Sequence, residues 1–177
     1  MKKSLVLVSV VFFAYLVWNA HQHTQPVLNR SSESSTRPDL YFSTFTLKQF
    51  DPSGAPALKI SGETIQQIPG TESSLAKRAK VIYPEKTGDP WIMTADTMKM
   101  DWENEIMLLN ENVSISNSQF EIMTEAVVWN HPMNQITSES DIFLKGKNWT
   151  HEARGITVSL ERNFFTLHSQ IRGQYEP

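Results

Sequence analysis

The chain has 177 residues, enough for one domain with appendages. Its formal net charge of −3 leaves no basic stripe to neutralise the phosphates of a nucleic acid. Cysteine is absent, which excludes a disulfide framework, a thiolate nucleophile and a cysteine-based zinc site.

Lys2 and Lys3 precede an apolar run from Leu5 to Ala20 that only Ser9 and Asn19 interrupt. As a helix its 16 positions span about 24 Å, against ~30 Å of bilayer hydrocarbon. A cleaved signal peptide and a retained anchor compete for this run. Cleavage wants small residues at −3 and −1, and sites after Ala14 or Ala20 put the bulky Phe12 or Trp18 at −3. Tyr15 and Trp18 also suit a lipid–water boundary. The expectation is a single transmembrane helix over 5–20, with residues 1–4 in the cytoplasm and the rest beyond the membrane. His21 and His23 have no third ligand nearby and read as polar boundary residues. Residues 21–38 lack periodicity and are serine-rich from Ser31 to Thr36, as a flexible linker would be.

Tyr41 to Phe50 reads as a first strand, rich in aromatics and threonine. Asp51-Pro52-Ser53-Gly54 is a turn, and Leu58-Lys59-Ile60 begins a return strand, after which Gly62 to Ile65 reads as a degenerate extra pass of the repeat that follows from Met93. Pro69 to Ala79 is polar and is expected to be a loop, with room for one helical turn between Ser74 and Lys80. Val81 to Tyr83 is a short strand closed by Pro84, and Gly88-Asp89-Pro90 is another turn.

From Met93 to Gly173 the chain repeats one pattern three times. Each pass opens on a small residue: Thr94-Ala95-Asp96, Thr124-Glu125-Ala126 and His151-Glu152-Ala153. An apolar alternation follows each opening, running through Met98, Met100 and Trp102, then Val127 and Trp129, then Ile156, Val158 and Leu160. Polar turns come next at 103–105, 131–134 and 161–163, and a second apolar run returns from each. The three alanines lie 31 and 27 residues apart, a spacing that suggests stacked supersecondary units. Period-2 alternation marks strands with one wet and one dry face, so the region reads as stacked, paired antiparallel strands.

Enzyme signatures are missing. His131, His151 and His168 are far apart and sit on polar parities or in turns, and no phosphate loop, G-x-S-x-G or H-E-x-x-H occurs. Asp96, Asp101, Glu103 and Glu105 lack the glycine-centred loop of calcium sites. The sequence calls for no catalytic residue, no metal and no cofactor.

The order of these pieces resembles the LptC family of lipopolysaccharide-transport proteins. The resemblance rests on the short anchor and linker, then Phe45-x-Leu47-x-x-Phe50-Asp51-x-x-Gly54, Pro90-Trp91 leading to Ala95-Asp96, and Glu105-x-x-Leu108. Asn112-Val113, Asn134-x-Ile136-x-Ser138, Gly146 and Ala153-x-Gly155 continue it. It implies an all-β fold over residues 39–177, a twisted and open β-jellyroll in the periplasm with an apolar groove, held to the inner membrane by the anchor. It implies a place in lipopolysaccharide export. The anchor helix and the N-terminal jellyroll edge would meet the membrane subunits of the ABC transporter, and the lipid would pass on to a periplasmic LptA-like protein. A Met- and Trp-rich first repeat departs from the pattern and leaves the lining of the groove open.

The residues expected to face such a groove are Leu58, Ile60, Met98, Met100, Leu108, Ile115, Ile122, Trp129, Ile142, Leu144, Val158 and Leu167. Lys59, Lys99, Lys145 and Lys147 are candidates, by residue type, for lipid phosphates at its mouth. The last strand, Phe165 to Tyr175, carries no lysine or proline to blunt it. Leu167, Ser169, Ile171, Gly173 and Tyr175 are therefore the expected edge for the LptA-like partner. An alternative is a membrane-tethered adaptor that binds proteins through its sheet edges and no lipid; another is a soluble secreted jellyroll released by signal cleavage.

Overall fold

The computed structural model describes residues 40–84 and 89–175. The expected cytoplasmic end 1–4, anchor 5–20 and linker 21–38 lie outside the described residues, as does Gly88 of the turn before Trp91. Nine strands follow one another: β1 (Tyr41–Phe50), β2 (Pro56–Gln67), β3 (Ser73–Tyr83), β4 (Trp91–Asp101), β5 (Ile106–Ser116), β6 (Phe120–Asn130), β7 (Gln135–Gly146), β8 (Trp149–Ser159) and β9 (Phe164–Tyr175). Each pairs antiparallel with the next, so sheet order is chain order. No helix occurs among the described residues.

The three polar turns of the repeat join β4 to β5, β6 to β7 and β8 to β9. Each ends on a left-handed residue, Glu105, Asn134 or Asn163, with φ near 50°, the geometry of a hairpin loop closed by a bulge. Short polar side chains hold the turns by accepting from backbone amides just ahead of them, as their chemistry favours. Asp51 Oδ1 accepts from the Ser53 and Ala55 amides at 2.8 and 3.0 Å, and Asp101 Oδ1 from those of Glu103 and Asn104.

One expectation fails on the first half of the chain. The segment Pro69 to Ala79 is not a loop with a helical turn: from Ser73 onward it belongs to the eleven-residue strand β3. Its inward positions are the small Ser74, Ala76 and Ala79, followed by Val81, so no run of large apolar residues announces it. The parity also switches at Arg78, whose φ is 48°.

Such switches recur across the sheet. Register slips between Thr94 and Thr97 on β4, Asn110 and Val113 on β5, Thr124 and Val128 on β6, Ser138 and Asp141 on β7, and Glu152 and Arg154 on β8. The small-residue openings of the three passes therefore sit at bulges, where a strand bends and its facing set changes. On β4, Trp91, Met93 and Ala95 are buried before the bulge, and Met98 and Met100 after it. Left-handed residues carry the same line through Thr44 on β1, Gly155 on β8 and Gln170 on β9.

Along this line the sheet folds over itself. Take as upper the end that carries the β1–β2, β3–β4, β5–β6 and β7–β8 turns. Tyr83, at the upper end of β3, meets Trp129, at the lower end of β6, with ring centroids 5.5 Å apart; its hydroxyl donates to Asn134 Oδ1 at 2.8 Å. Phe120, at the upper end of β6, meets Phe165, at the lower end of β9, at 5.3 Å. Asn117 in the upper β5–β6 turn donates to Asn163 in the lower β8–β9 turn at 3.0 Å. Strands three places apart in a flat sheet would be ~14 Å away. The upper halves thus pack on the lower halves with an offset of three strands. Trp91, Trp129, Met98, Ile122 and Ile136 are wholly buried between the two layers, each such side chain contributing about 1.5–3 kcal/mol.

Candidate functional site

Among the described residues, an offset of three strands leaves two half-layers with no strand opposite them, although Ile65 and Ala76 in one and Ile142 and Leu144 in the other are still buried. One is the lower half of β1–β3, for which no strand precedes β1 in the sheet; the other is the upper half of β7–β9, beyond which the sheet ends. At the first corner lies a cavity of about 490 Å³ lined by Leu40, Phe42, Phe45, Leu47, Ile65 and Trp102. Among the described residues no charged side chain lines it. Trp102 reaches it from the lower end of β4, its indole N–H donating to Ser74 Oγ at 2.9 Å. Phe45 lies over Gly62, its register partner on β2; a Cβ on that glycine would come within 2.8 Å of the ring and of a β3 carbonyl. Glycine there lets the ring settle onto the sheet as the floor of the corner. Phe42 remains 51% exposed at the rim. Chemically the corner can take in an apolar chain from the side, at ~0.8 kcal/mol per methylene removed from water.

The sequence-derived groove residues divide differently. Leu58, Ile60, Met98, Met100, Ile115, Ile122, Trp129, Ile142, Leu144 and Val158 are all buried in the hydrophobic core, although Leu58 and Met100 also line a small cavity of about 160 Å³ and Ile142 a wider one beside β9. Leu167 is partly buried and packs against that core from β9. Leu108 is a correction: Met107 and Leu109 take the inward positions, while Leu108 stands opposite Lys99 and Val128 in register and faces outward with them. A run of four apolar residues, Ile106 to Leu109, hides which parity is dry. Lys59, Lys99, Lys145 and Lys147 are exposed, and none lines the corner. The lining residues Phe42, Phe45, Leu47 and Ile65 were not singled out from sequence as groove residues. The alternation Phe45-Thr46-Leu47 was the available signal, in a strand otherwise read only for its propensity.

The polar groups near the lower rim hold structure together. His131 Nδ1 and Glu105 Oε2 are 2.8 Å apart and join the β6–β7 turn to the β4–β5 turn. Burial pushes the Tyr83 phenol above its ordinary pKa, with the charge of Glu161 adding to it, which keeps its hydroxyl a donor to Asn134. Asp101 is held below the usual carboxylate range by the Asn104 side chain and amide. It serves its turn, and among the described residues no three His, Asp or Glu side chains converge as metal ligands.

At the opposite edge β9 pairs with β8 alone. Its lower half is anchored by Phe165 against Phe120 and Trp149. The bulge at Gln170 turns Ile171, Gly173 and Tyr175 toward the uncovered side, where Ile171 is 55% and Tyr175 71% exposed. Gly173 faces His151 across the ladder, and Gly155, at φ 80°, accommodates His168. Ring-over-glycine contacts of this kind fasten a strand to its neighbour, here leaving the outer backbone row of β9 without a strand beside it.

The chain matches the family described as "Lipopolysaccharide-assembly, LptC-related" over residues 5–176. No curated protein sequence matches it. Among solved structures it is similar to LptH of Pseudomonas aeruginosa, the LptA-homologous periplasmic component of the lipopolysaccharide transport device. The TM-score is 0.55 at 8% identity, covering 68% of this chain and 95% of that one. At that identity the likeness speaks for the fold.

Proposed function

The chain belongs to the LptC-related family of lipopolysaccharide-assembly proteins, and on that premise we propose that it is a bridge in lipopolysaccharide export. Its role in lipopolysaccharide transport is carried by the family; the mechanism is our reading. Residues 5–20 hold it in the inner membrane, with the β-domain in the periplasm. The lipid's acyl chains enter at the uncovered corner beneath β1, handed over by the membrane subunits of the ABC transporter against the β1 edge. They leave along the uncovered side of β9 toward an LptA-like protein that adds a strand to that edge, backbone hydrogen bonds giving affinity and alternate side chains register.

One observation carries this reading: the three-strand offset, which exposes an apolar corner at one end of the sheet and an unpaired strand at the other. A photo-crosslinker at Phe42 or Leu47 is expected to capture lipopolysaccharide, and one at the outward Lys99 is not. Equal labelling at both positions would overturn it. The buried interior favours a second reading, the adaptor that binds proteins and no lipid, because Ile122 and Leu144 are wholly buried and present no surface to a lipid. Capture of a partner protein without any lipid adduct at Phe42 would select the adaptor.

A further inference from the structure

Charge is distributed unevenly over the described residues. Residues 40–84 carry five cationic and three acidic side chains, whereas residues 89–175 carry six cationic and twelve acidic ones. The cationic excess gathers on the outward face of the upper halves of β1, β2 and β3. Lys48 and Lys59 are register partners, and Lys80, the partner of Ser61, is diagonal to Lys59. All three are exposed, while the intervening Leu58, Ile60 and Val81 point into the core. Like charges directly opposite on a ladder repel, so this arrangement opposes folding unless something anionic meets it. Among the described residues the one lysine- or arginine-to-carboxylate pair is Arg78–Glu63, and it does not involve these lysines. Along the fold line the bulges of β4 to β7 present Asp96, Glu111, Glu125 and Glu139, all exposed. The charge is thus graded: cationic side chains outnumber acidic ones over β1–β3, and over residues 89–175 acidic ones outnumber the cationic Lys99, Lys145, Lys147, Arg154, Arg162 and Arg172 by two to one.

We infer that the Lys48–Lys59–Lys80 row docks the domain onto the anionic headgroups of a phospholipid bilayer, with the acidic strands turned away from it. Lysines near an anionic surface each strengthen contact about fivefold, ~1 kcal/mol, within a Debye length. The acidic strands add repulsion on the other side, which fixes orientation as well as affinity. Tyr41 and Phe50, on the same edge strand and more than half exposed, are side chains of the kind that settle at headgroup level. Docked this way, the corner under β1 is held beside the membrane and the β9 edge is held off it. The inference deepens the proposed function and rests on its anchoring by residues 5–20.

The chain has no cysteine, so Ser61→Cys places one fluorophore in the lysine row and Ser118→Cys one in the exposed β5–β6 turn. The labelled full-length chain is reconstituted in phosphatidylcholine vesicles, with or without about one-third phosphatidylglycerol, carrying a headgroup-level quencher. Quenching at Ser61→Cys is expected only with the anionic lipid, and little at Ser118→Cys. It should disappear at about 1 M salt, where the Debye length is ~3 Å. The triple variant Lys48→Gln/Lys59→Gln/Lys80→Gln should lower the docked-to-undocked ratio roughly a hundredfold, about fivefold per lysine. Its melting temperature should hold or rise, since repulsion has been removed.

Quenching that is indifferent to phosphatidylglycerol, or that survives the triple variant, overturns the docking. So does quenching that appears only when the vesicles carry lipopolysaccharide, which would make the row a site for that lipid's phosphates. Failure of the chain to float with phosphatidylcholine vesicles refutes the anchor instead. Flotation with anionic vesicles, and its loss in the triple variant, then decides the docking alone.

Discussion

The interlayer core and the corner beneath β1 are made of the same kinds of side chain and do different things. In the core, Met98, Ile122 and Trp129 are covered by the opposite layer and are wholly buried. At the corner, Phe42 lies in the lower half of β1, which has no strand opposite it among the described residues, and Leu47, across the Thr44 bulge, is still 38% exposed. The difference is one of position in the offset: both halves of β6 have a half-strand three places away to cover them, and the lower half of β1 has none. Whether an apolar side chain in this fold is covered depends on its parity and on its place in the offset, which composition alone cannot tell.

The sharpest way to break the comparison is to put one charge in each region. Ile122→Asp buries an unpaired carboxylate and is expected to cost several kcal/mol, enough to unfold the domain by circular dichroism. Phe42→Asp at the rim should leave the far-ultraviolet spectrum and cooperative melting intact while abolishing lipid capture at Leu47. If both variants unfold, the corner is core after all. A smaller effect comes from Gly155→Ala, which forces a left-handed φ of 80° on alanine and crowds His168. It should cost about 1–3 kcal/mol and loosen β9, seen as faster amide exchange at Leu167 and Ser169 than at core residues such as Ile122.

Proline at Ile171 and at Arg172 extends the comparison to the other uncovered half-layer. Adjacent amides on a strand point to opposite sides, so one of the two substitutions removes a donor from the free edge. That one is expected to abolish capture of the LptA-like partner with little change in melting; capture that survives both places the docking surface elsewhere. Gln170 is unsuitable for this test because its φ of 52° excludes proline.

The smallest effect is on pH. Asp51 is held below the ordinary carboxylate value, first by the Ser53 hydroxyl and then by the Ala55 amide. A depressed carboxylate contributes stability above its unfolded pKa and loses it as pH falls through the folded value. The amide resonances of Ser53 and Ala55 should therefore hold through neutral pH and move only below the usual value of 3.8.

What the sequence made legible follows from which signals are local. The first strand's limits, Tyr41 and Phe50, and the three repeat turns could be read because alternation and turn chemistry lie in neighbouring residues. The small-residue openings could be seen but not interpreted, since a bulge is visible only as a change of parity once the partner strand is known. Only the end of β3, Val81 to Tyr83, was read as a strand; the rest was missed because its inward residues are small and its parity breaks at Arg78. The corner was out of reach for a different reason. Leu58 and Leu47 look alike on paper, and which of them is roofed depends on a contact between strands three apart.

That offset also sets an order of events during folding. Because sheet order is chain order, each ladder closes only the short loop that joins it, at little entropic expense, and hairpins of this kind form in about 1–10 μs. A layer contact such as Tyr83 on Trp129 must wait until three further strands are in place. Consolidation therefore trails zippering by a constant lag along the chain, and at the β9 end the lag is never made up. The finished domain keeps, as its resting state, the half-dressed sheet that every earlier strand passed through on the way to being covered.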